Sequence, residues 1–191
     1  MVVGLGNPGP KYEGTRHNVG FEVVRRLGEK WGLDRVREKY GGLIAEGRAG
    51  EGGPRVILFQ PLTFMNEAGR AAGPLRGSKR IPLDRVVAVH DEIDLPFGEV
   101  RTRLGGGLAG HNGLKSLDRE FGGSDFWRVR VGVGRPDSTD PEVVSAWVLG
   151  RFREGPEEVA DLVDRAADRT ADLVGEIAAG GAIEDGKGAS G

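Results

Sequence analysis

The sequence predicts an α/β fold: a single-domain sandwich with a central mixed, mostly parallel twisted sheet flanked by helices. Three observations carry this expectation. Short apolar, β-branched runs alternate with amphipathic stretches of helical period along the chain, the order expected of strands and helices packed in layers. The runs at Val2–Leu5, Val56–Phe59 and Arg85–Val89 are bounded by Gly, Pro or charged residues, as buried strands are. The chain has 191 residues, 38% hydrophobic and 29% charged, enough for one sizeable core and a soluble rather than disordered balance. We expect residues 1–179 to form one α/β domain and residues 180–191, rich in Gly and poor in apolar side chains, to form a flexible tail.

The elements follow in order. Val2–Leu5 reads as a first buried strand, short enough to suggest a natural start a few residues upstream. A helix is predicted from about Asn18 to Trp31, because Phe21, Val24, Leu27 and Trp31 fall on one face. Leu43–Ala45 and Val56–Phe59 are strands joined through the turn Gly50–Pro54, and Pro61 ends the second. A helix from about Asn66 to Leu75 is weakened by Gly69 and Gly73. Arg85–Val89 is the clearest strand and ends on His90-Asp91-Glu92. Glu99–Leu104 alternates polar and apolar, a half-exposed strand, and a helix over Gly113–Phe121 leads to another alternating strand, Trp127–Val133. Asp140-Pro141 has the form of a helix N-cap with Pro at the first helical position. After Pro156 a long amphipathic helix runs to about Ile177.

Composition narrows the function. No stretch approaches the roughly 20 apolar residues needed to span a bilayer, and the first residues lack a basic segment followed by a long apolar one, so neither membrane insertion nor a signal peptide is expected. With no cysteine there are no disulfides, thiolate metal sites or cysteine nucleophiles, which is compatible with a reducing cytosol. The net charge of −2 hides an asymmetry: residues 1–135 carry 22 Lys and Arg against 16 Asp and Glu, residues 136–191 carry 5 against 13. Such a split permits a basic binding face on the first part, although an acidic, solvated helix explains the second equally well.

Several motifs bear on chemistry. Gly4-Leu5-Gly6-Asn7-Pro8-Gly9 matches G-x-G-x-x-G after a strand. Pro8 and Pro10 flank the last glycine, however, and Lys11–Gly14 postpone the helix, so a pyrophosphate would lack an adjacent helix N-terminus. A rigid turn presenting Asn7 at the C-terminal edge of the sheet fits better than a cofactor site. His17 lies at the predicted helix start, where a surface or capping role is common. What raises it is a carboxylate partner: Asp91 leaves the best strand at the same sheet edge and would hold the imidazole in the tautomer of a general base. Asp91, Glu92 and Asp94 also invite a metal reading. Gly105-Gly106-Gly107-Leu108-Ala109-Gly110-His111-Asn112-Gly113 has five glycines in nine residues, either a flexible connector or a backbone approached closely by another molecule. His111 and Asn112 at its end suit an oxyanion or phosphate at a helix N-terminus. Arg101 and Arg103, at i and i+2, share one face of a strand, while Arg128 and Arg130 read as structural residues alternating on the sheet edge.

Taken together, these segments resemble bacterial-type peptidyl-tRNA hydrolase. The resemblance rests on Gly4–Gly9, Thr15-Arg16-His17-Asn18, Thr63-Phe64-Met65-Asn66, His90–Asp94, Gly105–Gly113 and the Trp127–Gly134 strand, in that order, over about residues 2–175. Ala68, Leu108-Ala109 and Arg135 depart from residues common in that family. The resemblance implies hydrolysis of the ester between peptide and tRNA, releasing tRNA for reuse, by a cytoplasmic, monomeric enzyme without cofactor or metal. It further implies that His17 is the base, that Asp91 orients it, and that Asn7, Tyr12, Phe64, Asn66 and Asn112 bind the substrate. Asn18 and His111 are candidates for the oxyanion or cleft, and Arg101, Arg103 and Lys115 for the tRNA backbone. The absence of G-x-S-x-G agrees with a His-activated water. The rival is a non-catalytic RNA-binding relative of the same fold, which would be expected to lose the His17–Asp91 pair.

Overall fold

The computed structural model describes residues 1–180, so the expected flexible tail falls, from residue 181 on, outside the described residues. Among the described residues seven strands form one mixed sheet: β1 Val2–Gly4, β2 Arg37–Lys39, β3 Gly42–Arg48, β4 Arg55–Pro61, β5 Val87–Glu92, β6 Val100–Leu104 and β7 Trp127–Gly132. Their order is β2-β3-β4-β1-β5-β7-β6. The four central strands, β4, β1, β5 and β7, are parallel, and the strands outside them are antiparallel. The expected mixed sheet is therefore present, with its parallel part in the four central strands. β2 escaped the sequence reading because Arg37-Glu38-Lys39 is exposed and charged, with no apolar face to read.

Alternation along the strands builds two cores. Val2, Val87, Val89, Val129 and Val131 face helices α1 (Val19–Trp31) and α5 (Pro156–Ala179). Val3, Ala88 and Phe59 face α2 (Ala68–Ser78) and α3 (Asn112–Phe121). Successive side chains of a strand point to opposite faces, so β1 at Val2 and Val3 and β5 over Val87–Val89 must be apolar on both faces. α5 packs on α1, where Arg26 pairs with Asp164 and Lys30 with Asp168. Its acidic surface thus lies on the sheet face away from α2 and α3.

The expected helices are found with shifted ends. α2 begins at Ala68 after a 3₁₀ turn over Met65–Glu67, and its glycine is an asset rather than a weakness: a Cβ on Gly69 would lie 2.1 Å from the Ser116 carbonyl oxygen. A fifth helix, α4 (Pro141–Leu149), is capped by Asp140, whose side chain accepts from the Glu142 amide. β5 runs on through His90, Asp91 and Glu92 rather than stopping at Val89. Among the described residues no helix is long and apolar enough to cross a membrane.

One close approach decides where the functional residues meet. A Cβ on Gly20, in the first turn of α1, would lie 2.4 Å from the Val89 carbonyl oxygen and 2.6 Å from the Leu5 backbone. Only glycine lets the helix start lie directly on the ends of β1 and β5. That contact carries His17, three residues earlier, to Asp91, two residues beyond Val89.

Candidate active site

At the C-terminal edge of the parallel strands, where open α/β sheets place ligand sites, two imidazoles meet one carboxylate and a third packs behind them. His17 Nδ1 lies 2.9 and 3.0 Å from the two Asp91 oxygens, and His111 Nε2 lies 2.9 Å from Asp91 Oδ1. The tautomers follow from the partners. His111 Nδ1 accepts from the Gly113 and Leu114 amides as the N-cap of α3, so its proton is on Nε2 and is donated to Asp91. His17 Nδ1–H donates to the same carboxylate, and His17 Nε2, with no partner among the described residues, is the nitrogen left to take a proton. Burial pushes the Asp91 carboxyl up, but the electrostatic attraction of the His17 and His111 rings and their N–H bonds outweigh it and hold it well below the usual carboxylate range. His90 sits behind His111, ring centroids 4.9 Å apart, with Nδ1–H donating to the Asp91 carbonyl. Burial first, then the neighbouring His111 charge, lowers its pKa to about 3, so it is neutral.

These groups open on a cleft of about 680 Å³. Asn7, Phe64, Asn66 and Asn112 line it with His17 and His111. Asn7 is held rigidly: its amide donates to Asn18 Oδ1, Asn18 Nδ2 donates to its carbonyl, and its own Oδ1 accepts from the Met65 amide. Its Nδ2 is the donor left to the cleft. This pairing corrects the expectation for Asn18, which is buried and has both side-chain ends committed to Asn7, and so does not line the cleft. Tyr12 is likewise outside the lining; it stands edge-on to Phe64 at 6.3 Å. His111 does line the cleft, yet both its nitrogens are engaged, so an oxyanion finds no donor there.

The sequence reading did not foresee the opposite wall, formed by Val144, Val148 and Leu149 of α4. The signal was present in Asp140-Pro141 followed by an apolar nonapeptide, but nothing local says which side of the sheet such a helix covers. α5 adds no residue to the lining.

Beside the cleft, across the glycine-rich loop, lies a smaller cavity of about 260 Å³ lined by Arg103, Arg128, Arg130 and His90. The register of β6 and β7 pairs Arg101 with Arg130 and Arg103 with Arg128, so all four arginines share the sheet face on the α3 side. Arg101 is paired with Glu99 at 2.6 Å, and Arg103 is exposed. Arg128 is indeed structural: buried, it donates to the Gly106, Gly107 and Ser124 carbonyls and pins the glycine loop. Burial, then the charges of Arg103 and Arg130, lower its pKa. The edge strand is β6, not β7, and Arg130 pairs with Glu92 at 3.0 Å. Lys115 is exposed on α3.

The donor set argues against a metal. Glu92 pairs with Arg130 and Asp94 with Arg135, so the carboxylates after β5 do not converge. His17, Asp91 and His111 do converge, but ligation through His111 Nε2 would move its proton to Nδ1, against two amide N–H groups. Nor does the opening glycine turn suit a pyrophosphate, since α1 starts only at Val19, well past Gly9.

Comparison with known proteins shows the family. The peptidyl-tRNA hydrolase family profile matches residues 1–185. A peptidyl-tRNA hydrolase of Geotalea daltonii is 46% identical over 178 residues, covering 93% of this chain and 89% of the relative. One from Mycolicibacterium vanbaalenii is 46% identical over 181 residues, covering 92% and 91%. The crystal structure of peptidyl-tRNA hydrolase from Acinetobacter baumannii superposes with a TM-score of 0.81 at 36% identity, covering 94% of this chain and 88% of that one. With the profile spanning nearly the whole sequence, the chain belongs to the peptidyl-tRNA hydrolase family.

Proposed function

We propose that this chain hydrolyses the ester joining a peptide to the ribose of tRNA, with His17 as general base and Asp91 orienting it. The observation that carries the reading is the imidazole of His17, fixed through Nδ1 on a buried carboxylate with Nε2 open to a cleft lined by three asparagines. A water beside Nε2 gives up its proton as it attacks the ester carbonyl. An ester has a better leaving group than an amide, so no covalent nucleophile is required. The amides of Asn7, Asn66 and Asn112 donate to the peptide carbonyls and to the developing oxyanion. Phe64, exposed at the cleft rim and buttressed by Tyr12, offers an apolar surface to the peptide. Arg101, Arg103 and Lys115 contact the phosphate backbone, which positions the substrate without reading sequence. Residues 1–179 act as one catalytic unit, a cytoplasmic monomer working where translation releases its substrate.

The test is hydrolysis of N-acetyl-aminoacyl-tRNA by wild type and His17→Ala, each with EDTA present. A positioned base typically contributes about 10²–10⁴-fold, and the variant should lose that much. Full activity of the variant would overturn the mechanism, and abolition by EDTA would restore a metal. The same cleft explains how aminoacyl-tRNA is spared: its charged amine cannot accept the amide donors. Equal cleavage of N-acetylated and free aminoacyl-tRNA would sink that step. The rival, a non-catalytic RNA-binding relative, predicts tRNA binding with no turnover.

A further inference from the structure

Residue Arg16 is buried at 2% exposure, yet neither the base nor the cleft uses it. Its contacts all lead to the segment that ends α4. Its amide donates to the Gly150 carbonyl at 3.0 Å, and Nη1 donates to the Trp147 and Arg151 carbonyls at 3.1 and 2.8 Å. The guanidinium lies 3.9 Å from the centroid of the Trp147 ring, a cation–π stack, while Nε and Nη2 are buried without a hydrogen-bond partner among the described residues. Next door, Thr15 and Arg151 form an isolated antiparallel bridge.

α4 needs such an anchor. None of its residues is buried, so it lacks the roughly 1.5–3 kcal/mol that each fully buried aliphatic side chain contributes. The element it contacts most is the Arg16–Asn18 turn, and at its far side Trp147 Nε1 donates to the Gly134 carbonyl. Yet this loosely buried helix is a wall of the cleft, through Val144, Val148 and Leu149. A nine-residue helix is about 13 Å long, whereas one extended residue spans only about 3.5 Å. A wall of that length has room to flank residues that precede the one esterified to the ribose as well as that residue itself.

We propose that Arg16 is a positioning residue: it places α4 over the cleft and so sets the binding of the longer peptide portion of the substrate, with no part in the proton transfer at His17. The proposal rests on the reading of the cleft as the peptide site. Steady-state kinetics on N-acetyl-aminoacyl-tRNA and on an oligopeptidyl-tRNA, with wild type, Arg16→Lys and Trp147→Leu, test it alongside hydrogen exchange over residues 141–149. Both variants should raise KM for the oligopeptidyl substrate about tenfold, or about 1.4 kcal/mol, with kcat kept and the short substrate little affected. Exchange over 141–149 should quicken in both, and the double variant should be no worse than either single one. Equal losses on the two substrates, a fall in kcat alone, or unchanged KM on the longer one would overturn it. Trp147→Leu leaves the turn before His17 intact, so it judges the proposal even if Arg16→Lys does not fold. A wild type inert on both esters would refute the functional reading instead, and the exchange data would still judge the anchoring.

Discussion

Replacing Asp91 by Asn removes one charge and almost no volume, and the structure says what else it removes. The carboxylate accepts from two rings at once: Oδ1 is 2.9 Å from His111 Nε2 and from His17 Nδ1, and Oδ2 is 3.0 Å from His17 Nδ1. In Asp91→Asn the retained oxygen serves His111, whose tautomer is pinned by the Gly113 and Leu114 amides. The new NH₂ then faces His17 Nδ1. Two donors cannot share that contact, so the imidazole moves its proton to Nε2, the atom that must accept one from water. Loss of the correct tautomer removes most of what a positioned base provides, about 10²–10⁴-fold, or about 3–5 kcal/mol of transition-state stabilisation. The loss should fall on kcat, because nothing that binds peptide or phosphate has changed. Initial rates on N-acetyl-aminoacyl-tRNA measure it, with tRNA affinity as control. A loss under about threefold, or one confined to KM, would show that the carboxylate does not govern the His17 tautomer and would refute the reasoning.

Further expectations concern the arginine face, the close helix contact and the buried imidazole. Arg101→Ala with Arg103→Ala should weaken tRNA binding and reduce the slope of log affinity against log salt by about 1.5, while a minimal ester fragment is still hydrolysed; an equal loss on the fragment would contradict a phosphate role. Gly20→Ala places a methyl 2.4 Å from the Val89 carbonyl oxygen and should cost about 1–3 kcal/mol in urea unfolding together with activity, since it lifts His17 from Asp91; a neutral result would mean the helix start is not fixed by that contact. His90 has its pKa lowered to about 3 in the fold against about 6.5 unfolded. Between those values the unfolded chain binds the extra proton, so the stability from His90 is full above about pH 6.5 and is lost as pH falls toward 3. His90→Asn should therefore lose less stability than wild type between pH 7 and 4.5, and parallel unfolding curves would refute the assignment.

Much of this could be read in the chain because it is local. Apolar runs at Val2–Leu5 and Arg85–Val89 must be buried wherever they lie, so the sheet core was legible, as were the helices with one apolar stripe. The motif residues His17, Asp91, Asn7, Asn66 and Asn112 were legible as types of side chain at strand ends and helix starts. What the sequence could not decide is which groups share a partner. Asn18 looks as suitable for the cleft as Asn7, yet the turn that follows β1 folds back and spends both of its ends on Asn7. His111 looks like an oxyanion donor until its ring is seen capping α3 and serving Asp91. Arg128 and Arg103 differ by burial alone, which the β6–β7 register and the glycine loop determine. Arg16, beside the base in sequence, holds the end of a helix more than a hundred residues away. Burial of apolar side chains follows from composition and period, which a sequence carries. A hydrogen bond needs two groups within about 3 Å, and only the tertiary structure brings Gly20 onto Val89 and so His17 onto Asp91.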